Sequence, residues 1–399
     1  NAAFKRTLNS KIYVDKTEFL DFTNQMINTN SAFICNSRPR RFGKSVTADM
    51  LTAYYSRGCD SKKLFSDLKI GSLENFEENL NKYNVIHFDV QWCLEPAGNP
   101  KKLVDYITRN TLNELREEFH EIISEEIESL PDALSKINAK TGKQFIIIID
   151  EWDVLIRDEA ANKNVQEDYI NFLRGMFKGT EPTKYIQLAY LTGILPMKKE
   201  KTQSALNNFD EFTMLSPSNL AQYVGFTEDE VRGLAREYNQ DFDKVKMWYD
   251  GYLLRDYQVY NPRAVVSVML KGEFKSYWSE TASYEAIVPF INMNYDGLKP
   301  AIIAMISGAE VKVNTGTFKN DTLNIKSKDD VLTYMIHLGY LAYDQTNSMA
   351  FVPNEEIRQE LTAAVESRKW NEMLGFWQNS EKLLNATLDK NENAVAEQI

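Results

Sequence analysis

The sequence predicts an α/β fold: a parallel sheet flanked by helices, followed by a mostly helical second part. Three observations predict it. Short apolar runs alternate with amphipathic helical stretches through the first half, the pattern of parallel strands joined by crossover helices. One run, Phe145 to Ile149, is continuously apolar, as expected of a central strand buried on both faces. From about Ser216 the alternation stops and helical periodicity takes over. The expected boundaries are 3–215 for an α/β domain and 216–399 for a helical lid.

Each element follows in order. Phe33-Ile34-Cys35 reads as a short strand entering a basic, glycine-containing loop. A helix from Lys44 to Tyr55 carries Val46, Met50, Leu51 and Tyr54 at helical spacing. Val85 to Val90 reads as a second strand. A long amphipathic helix is expected from Lys101 to Ser129, with Leu103, Ile107, Leu115, Phe119, Ile122 and Ile123 on its apolar side. Its acids, Glu117, Glu118, Glu121, Glu125, Glu126 and Glu128, read as a solvated face. Pro131 starts the next helix and Gly142 caps its end. After Phe145 to Ile149 come a helix near Val165 to Phe177 and a strand from Ile186 to Leu191, ending at Thr192-Gly193. In the second part, Thr227 and Glu230 have capping-box spacing. Asp329 to Leu338 is helical, and a hairpin is expected between Tyr340 and Val352. That order is compatible with a winged-helix-like end.

Composition narrows the function classes. The chain has 399 residues, 46 Lys+Arg against 57 Asp+Glu, and a net charge of −11. The length suits two or three domains with a large core. The acidic balance argues against non-specific nucleic-acid or membrane-surface binding by the whole chain, though not against a local basic patch. Cys35, Cys59 and Cys93 form no C-x-x-C pair, so neither a zinc ribbon nor a disulfide framework is encoded, and a reducing cytoplasm is the simplest setting. No apolar run approaches the roughly 18–20 residues of a membrane span. Asn1-Ala2, with no initiator Met, reads as an expression scar.

The strongest local signal is Arg38-Pro39-Arg40-Arg41-Phe42-Gly43-Lys44-Ser45. It has the Gly-Lys-Ser end of a Walker A loop, with a strand before it and a helix after it. Arg38 stands where the first glycine of the motif belongs. Gly43 lets the backbone approach phosphates, and the helix N-terminus offers free N–H groups to an anion. Lys44 is expected to neutralise the β and γ phosphates of ATP, and Ser45 to ligate Mg²⁺. Arg40, Arg41, Phe42 and Val46 complete the expected nucleotide-binding stretch. Ile149-Asp150-Glu151 supplies the second signal, an acid pair at a strand's C-terminal edge, where ligands sit in open α/β sheets. Asp150 is expected to hold Mg²⁺, and Glu151 to orient and deprotonate the attacking water. Thr192 is a candidate contact for the γ-phosphate or that water, and otherwise a strand-terminating residue. Arg157 reads as a surface helix arginine before a trans-acting one. Trp152 reads as packing.

These motifs carry a resemblance. Tyr13-Val14-Asp15-Lys16-Thr17, Ser37 to Ser45, Ile148 to Asp153 and Leu191-Thr192-Gly193-Ile194 resemble the bacterial predicted AAA-ATPase-like family, as do Trp248-Tyr249-Asp250-Gly251-Tyr252 and Tyr260-Asn261-Pro262. The resemblance runs over nearly the whole chain. It implies that Arg38 is the family's usual variant, and that ATP and Mg²⁺ bind through Lys44, Ser45 and Asp150. The family is similar to AAA and STAND-type P-loop ATPases with a helical or winged-helix lid. Its members often continue into a PD-(D/E)XK nuclease-like domain. Here that domain is expected to be absent, with the sequence stopping at Ala396 to Ile399, about where it would begin. Glu273-Phe274-Lys275 matches E-x-K but lacks an upstream partner acid, and reads as a decoy.

Other chemistry finds little support. His87, His120 and His337 lack zinc spacing. No G-x-S-x-G is present. The aromatics Trp248, Tyr249, Tyr252, Tyr257 and Tyr260 read as lid packing before base stacking. The expected function is MgATP binding and hydrolysis coupled to lid or partner conformation. The alternatives are a nucleotide-gated switch with negligible turnover and a DNA-associated module. ATP and ADP are the expected ligands. DNA is a candidate partner through the winged-helix-like end or the nuclease-like domain, and no membrane is expected. Oligomeric state is not encoded in any motif.

Overall fold

The computed structural model describes residues 1–157, 162–200, 203–204, 206–278, 287–293 and 295–366. The last part of the expected lid, 367–399, lies outside them. The chain divides into two compact units. The first is 1–224 with 319–324, and the second takes the described residues of 225–318 and 325–366.

The first unit is built on five parallel strands: β1 (Phe33–Ser37), β2 (Asn84–Asp89), β3 (Phe145–Asp150), β4 (Ile186–Gly193) and β5 (Asp210–Phe212). Their order across the sheet is β2-β3-β4-β1-β5. β1 pairs with β4 from Phe33↔Ala189 to Ser37↔Gly193, and β2 with β3 from Asn84↔Phe145 to Asp89↔Asp150. Because all five strands are parallel, their C-terminal ends share one edge. Every residue of β3 is buried. Each fully buried Ile there contributes about 1.5–3 kcal/mol of apolar transfer.

Helix α1 (Lys44–Tyr55) begins immediately after the basic loop. Its first residue is preceded by Gly43 at φ +93°, a left-handed turn that glycine adopts without a Cβ penalty. Ala48, Leu51, Tyr54 and Tyr55 of α1 pack with Ile34, Ile146, Ile148 and Tyr190 in one cluster. The packing of α1 under the sheet thus fixes where the loop between β1 and α1 must lie.

The long helix expected over 101–129 is shorter than its periodicity. It runs Leu103–Glu118 and ends where Phe119 leaves helical geometry at φ −125°, ψ 40°. Phe119 turns inward against Phe145, and Ile123 and Ile127 are also buried. Arg116 holds the irregular stretch by donating to the Ile127 carbonyl at 2.9 Å. The hydrophobic residues beyond 118 are therefore core residues of a loop. Glu117, Glu118, Glu121, Glu125, Glu126 and Glu128 are all exposed, as a solvated face requires. The fifth strand, Asp210–Phe212, has too little apolar content for periodicity to reveal it.

In the second unit, the Thr227–Glu230 capping box is formed at the start of helix Glu228–Glu237. The second part, expected to be mostly helical, also contains a hairpin, Tyr252–Leu254 and Tyr257–Tyr260. Gly251 shows why the chain turns there. It sits at φ +120°, and a Cβ on it would meet the Pro353 carbonyl oxygen within 2.3 Å. Tyr249, Tyr252 and Tyr260 are buried, as the packing reading expects, whereas Tyr257 is exposed. Asn261 caps the helix Pro262–Lys271 by accepting from the Arg263 N–H at 2.8 Å, with Pro262 at its first turn. The hairpin near the end is Ala342–Asp344 with Met349–Phe351, and Val311–Lys312 adds a third strand.

The same unit buries an acid. Glu356 is 1% exposed and accepts from the Tyr277 and Trp278 N–H groups at 2.7 and 3.0 Å. Burial pushes its carboxyl up to about 8; the two amides pull it down, and Glu360 pushes it up again. A folded-state value above the ordinary 4.5 means that the folded protein holds the extra proton between pH 4.5 and 8. Stability should therefore fall as pH rises through that window, by an amount on the order of a few kcal/mol. Glu356→Gln keeps an acceptor for both amides and should flatten this slope. Thermal unfolding between pH 5 and 9 measures it, and parallel curves for the two proteins would refute the assignment.

Candidate functional site

The site is built at the shared C-terminal edge of the sheet. β1 delivers the loop Arg38–Gly43, β3 delivers Asp150 and Glu151, and β4, lying between them, delivers Thr192 and Gly193. Two loop residues have left-handed backbone, Arg41 at φ +67° and Gly43 at φ +93°. Such alternation turns successive N–H groups toward one side and suits an anion. Nothing lies within 4 Å of a Cβ placed on Gly43. Its space is open for a ligand and its conformation favours glycine.

Lys44 is 5% exposed. Its ammonium donates to the Pro39 carbonyl at 3.1 Å and lies 3.6 Å from Glu151 Oε1. Arg40, Arg41, Ser45 and Val46 are exposed around the loop, whereas Phe42 is buried, so only its backbone can face a phosphate. Asp150 is 3% exposed. Burial pushes its carboxyl up to about 6, against the opposing pull of the Ser45 hydroxyl, with Glu151 pushing it up, Lys44 pulling it down and Asp89 pushing it up. A desolvated carboxylate beside a hydroxyl is a donor set that a hard divalent cation relieves. The residues therefore fit Mg²⁺. Among the described residues no group of three or more His, Cys, Asp or Glu could hold a metal. A cation here would take its remaining ligands from phosphate oxygens and water.

Two residues of these motifs point inward. Arg38 does not add charge to the loop's open side. Its side chain is fully buried, and Nη1 donates to the Ser37 and Phe212 carbonyls at 2.9 and 3.3 Å. It clips the end of β5 to β1, and burial pulls its guanidinium down to about 10. Thr192 is also fully buried, and its hydroxyl donates to the Asn36 carbonyl at 2.9 Å. That bond closes the β1–β4 seam at the end of the strand.

The structure also gives residues around the acid pair contacts that the sequence reading did not foresee. Arg157 is no surface arginine: its side chain is 11% exposed and bonds to Glu151 Oε2 at 2.8 Å and Asp153 Oδ2 at 2.7 Å. The Asp153 side chain, wholly buried, also accepts from the Ile194 and Leu195 N–H groups at 3.1 and 2.7 Å. Gly193 makes that approach feasible, since a Cβ there would fall 2.5 Å from Asp153 Oδ1 and 2.8 Å from Trp152 Cδ1. The i,i+4 spacing of Asp153 and Arg157 was the available sequence signal. Asp89 ends β2 in register with Asp150, and its carboxylate caps the next helix by accepting from the Trp92 N–H. Trp152 is buried packing, as expected. Asp15 and Lys16 serve structure: Asp15 accepts from the Thr17 and Lys69 N–H groups, and Lys16 donates to the Gln222 carbonyl.

A Gly-Lys-Ser loop between a central parallel strand and its helix, beside an acid pair ending a neighbouring strand, defines a P-loop nucleotide-binding fold. A family model described as "Predicted AAA-ATPase" matches residues 3–202. The chain belongs to that family. An uncharacterized protein in the vnfD 5' region of Azotobacter chroococcum mcd 1 is 25% identical over 363 residues, 87% of this chain and 63% of that protein. The chain thus spans under two thirds of that relative. The centrosomal protein of 162 kDa from Coturnix coturnix is 23% identical over 278 residues, 67% of this chain and 21% of that one. Among solved structures, the Aeropyrum pernix ORC2 protein (ADPNP-ADP complexes) covers 90% of this chain and 97% of its own at 10% identity, TM-score 0.35. AMPPCP-bound DnaA from Aquifex aeolicus covers 94% and 96% at 12% identity, TM-score 0.32. Scores this low establish no shared function. No described helix is long and apolar enough to cross a membrane.

Proposed function

We propose that the first unit binds MgATP and hydrolyses it to ADP and phosphate, coupling nucleotide state to the conformation of the rest of the protein. The observation that carries this reading is the convergence of Lys44, Ser45, Asp150 and Glu151 at one sheet edge, with Glu151 Oε1 3.6 Å from Lys44 Nζ. The left-handed loop offers its N–H groups to the phosphates, and Lys44 neutralises the β and γ oxygens. Ser45 and Asp150 would hold Mg²⁺, which when bound neutralises developing phosphate charge. Glu151 orients the attacking water and accepts its proton. Arg40, Arg41 and Val46 line the exposed approach to the loop.

The test is direct. The nucleotide carried by purified protein is identified by mass, and phosphate release is followed with ATP and Mg²⁺. Binding with measurable release supports the reading, and absence of binding sinks it. Binding without release would favour a nucleotide-gated switch, a reading to which one observation points: both Glu151 oxygens already face cations.

A further inference from the structure

Glu151 is an unusual residue before any chemistry is assigned to it. Its backbone is left-handed at φ +51°, uncommon for a side chain of this kind and a mark of imposed geometry. Its carboxylate does not float. Oε2 accepts from Arg157 Nη2 at 2.8 Å, and Oε1 faces Lys44 at 3.6 Å.

Arg157 is itself fixed. Its Nε donates to Asp153 Oδ2 at 2.7 Å and Nη2 reaches Asp153 Oδ1 at 3.3 Å. Asp153 is pinned by the Ile194 and Leu195 amides just beyond β4. The Trp152 N–H meets the Thr192 carbonyl at 3.0 Å, tying the acid turn to the same strand end. A continuous charge-assisted path therefore runs from the end of β4 through Asp153 and Arg157 to one oxygen of Glu151. A guanidinium suits this place because its planar fork bonds two carboxylates in fixed directions, whereas an ammonium is a point charge on a flexible stem.

We infer that Arg157 is the positioning residue of the hydrolytic site: it holds Glu151 Oε2 so that Oε1 is the oxygen that receives the proton of the attacking water. This rests on the hydrolytic reading above. Phosphates draw Lys44 toward themselves by stronger charge, and Oε1 loses that partner. Arg157 cannot follow, because Asp153 anchors it. The water's proton passes to Oε1, its oxygen bonds to the γ-phosphorus, and the bond to the ADP oxygen breaks, leaving ADP with the departing electron pair. A base oriented by a third, buried group is a recurrent arrangement in catalysis.

The experiment uses the full chain with Arg157→Ala, Arg157→Lys, Glu151→Gln and the Arg157→Ala/Glu151→Gln pair. Arg157→Ala should lower kcat about tenfold to a hundredfold, with KM and nucleotide affinity within about twofold. Arg157→Lys keeps the charge, guards against loss of folding, and should show the same split without restoring kcat. Added guanidinium ion should restore part of the turnover of Arg157→Ala. The paired variant should be no slower than Glu151→Gln alone. Unchanged kcat in both Arg157 variants overturns the inference, as does a paired variant slowed by the full Arg157→Ala factor. Wild-type protein that binds MgATP without releasing phosphate overturns the hydrolytic reading, and this one with it.

Discussion

Glu151→Gln should leave nucleotide affinity within about twofold of wild type while cutting phosphate release by about 10²–10⁴-fold, the usual weight of a general base. The substitution preserves shape and keeps an oxygen to accept from Arg157, whose anchor on Asp153 is untouched. It removes the one thing a base needs, a carboxylate able to take a proton. Glu151 suits that role by position. It is partly exposed beside the buried Asp150, whose carboxyl is shielded and faces Ser45. Two adjacent acids are thereby separated in environment, one buried beside the Ser45 hydroxyl and one held between Lys44 and Arg157. The outcome that would sink the assignment is a Glu151→Gln protein that releases phosphate at the wild-type rate.

Lys44→Ala should weaken ATP binding by roughly tenfold to more than a hundredfold, from the loss of a charge-assisted contact to phosphate worth about 1.5–3 kcal/mol. Lys44 is almost fully buried, with a backbone carbonyl as its hydrogen-bond partner and one carboxylate nearby. The chain stores a cation at the mouth of a helix N-terminus, and a polyanion is the partner that suits both. Calorimetric titration with ATP and Mg²⁺ measures the effect. Wild-type affinity in Lys44→Ala would show that the phosphates lie elsewhere. The two variants also separate from each other. One loses affinity, the other turnover, and a single misfolding defect would depress both together.

The site was legible to the extent that its residues are consecutive. Arg38 to Ser45 and Asp150-Glu151 are short strings whose spacing carries the chemistry, and the structure brings them to one edge. What depends on distant partners was not legible. Arg38 looked like part of a basic loop, yet its side chain is buried and its Nη1 donates to the Ser37 and Phe212 carbonyls, and Phe212 belongs to a strand far along the chain. Thr192 looked available, yet Asn36 takes its hydroxyl. Arg157 looked solvated because a lone arginine on a short helix usually is, whereas Asp153 and Glu151 enclose it. The helix to Ser129 failed for a related reason: Phe119, Ile123 and Ile127 keep helical spacing but reach the core from a loop.

The sequence by itself determined the fold class, the central buried strand, the position of the Gly-Lys-Ser turn and the acid pair, since each rests on local periodicity or on neighbouring residues. Tertiary structure alone decided the strand order β2-β3-β4-β1-β5, which inserts β4 between the phosphate loop and the acid pair. It also decided that Gly193, at the end of that inserted strand, lets Asp153 close against it. Hydrogen bonds between residues separated by more than a hundred positions, such as Thr192 to Asn36, leave no periodic trace in a chain. They exist only once packing has brought the strands together, and here they fix which charged side chains face the site and which hold it in place.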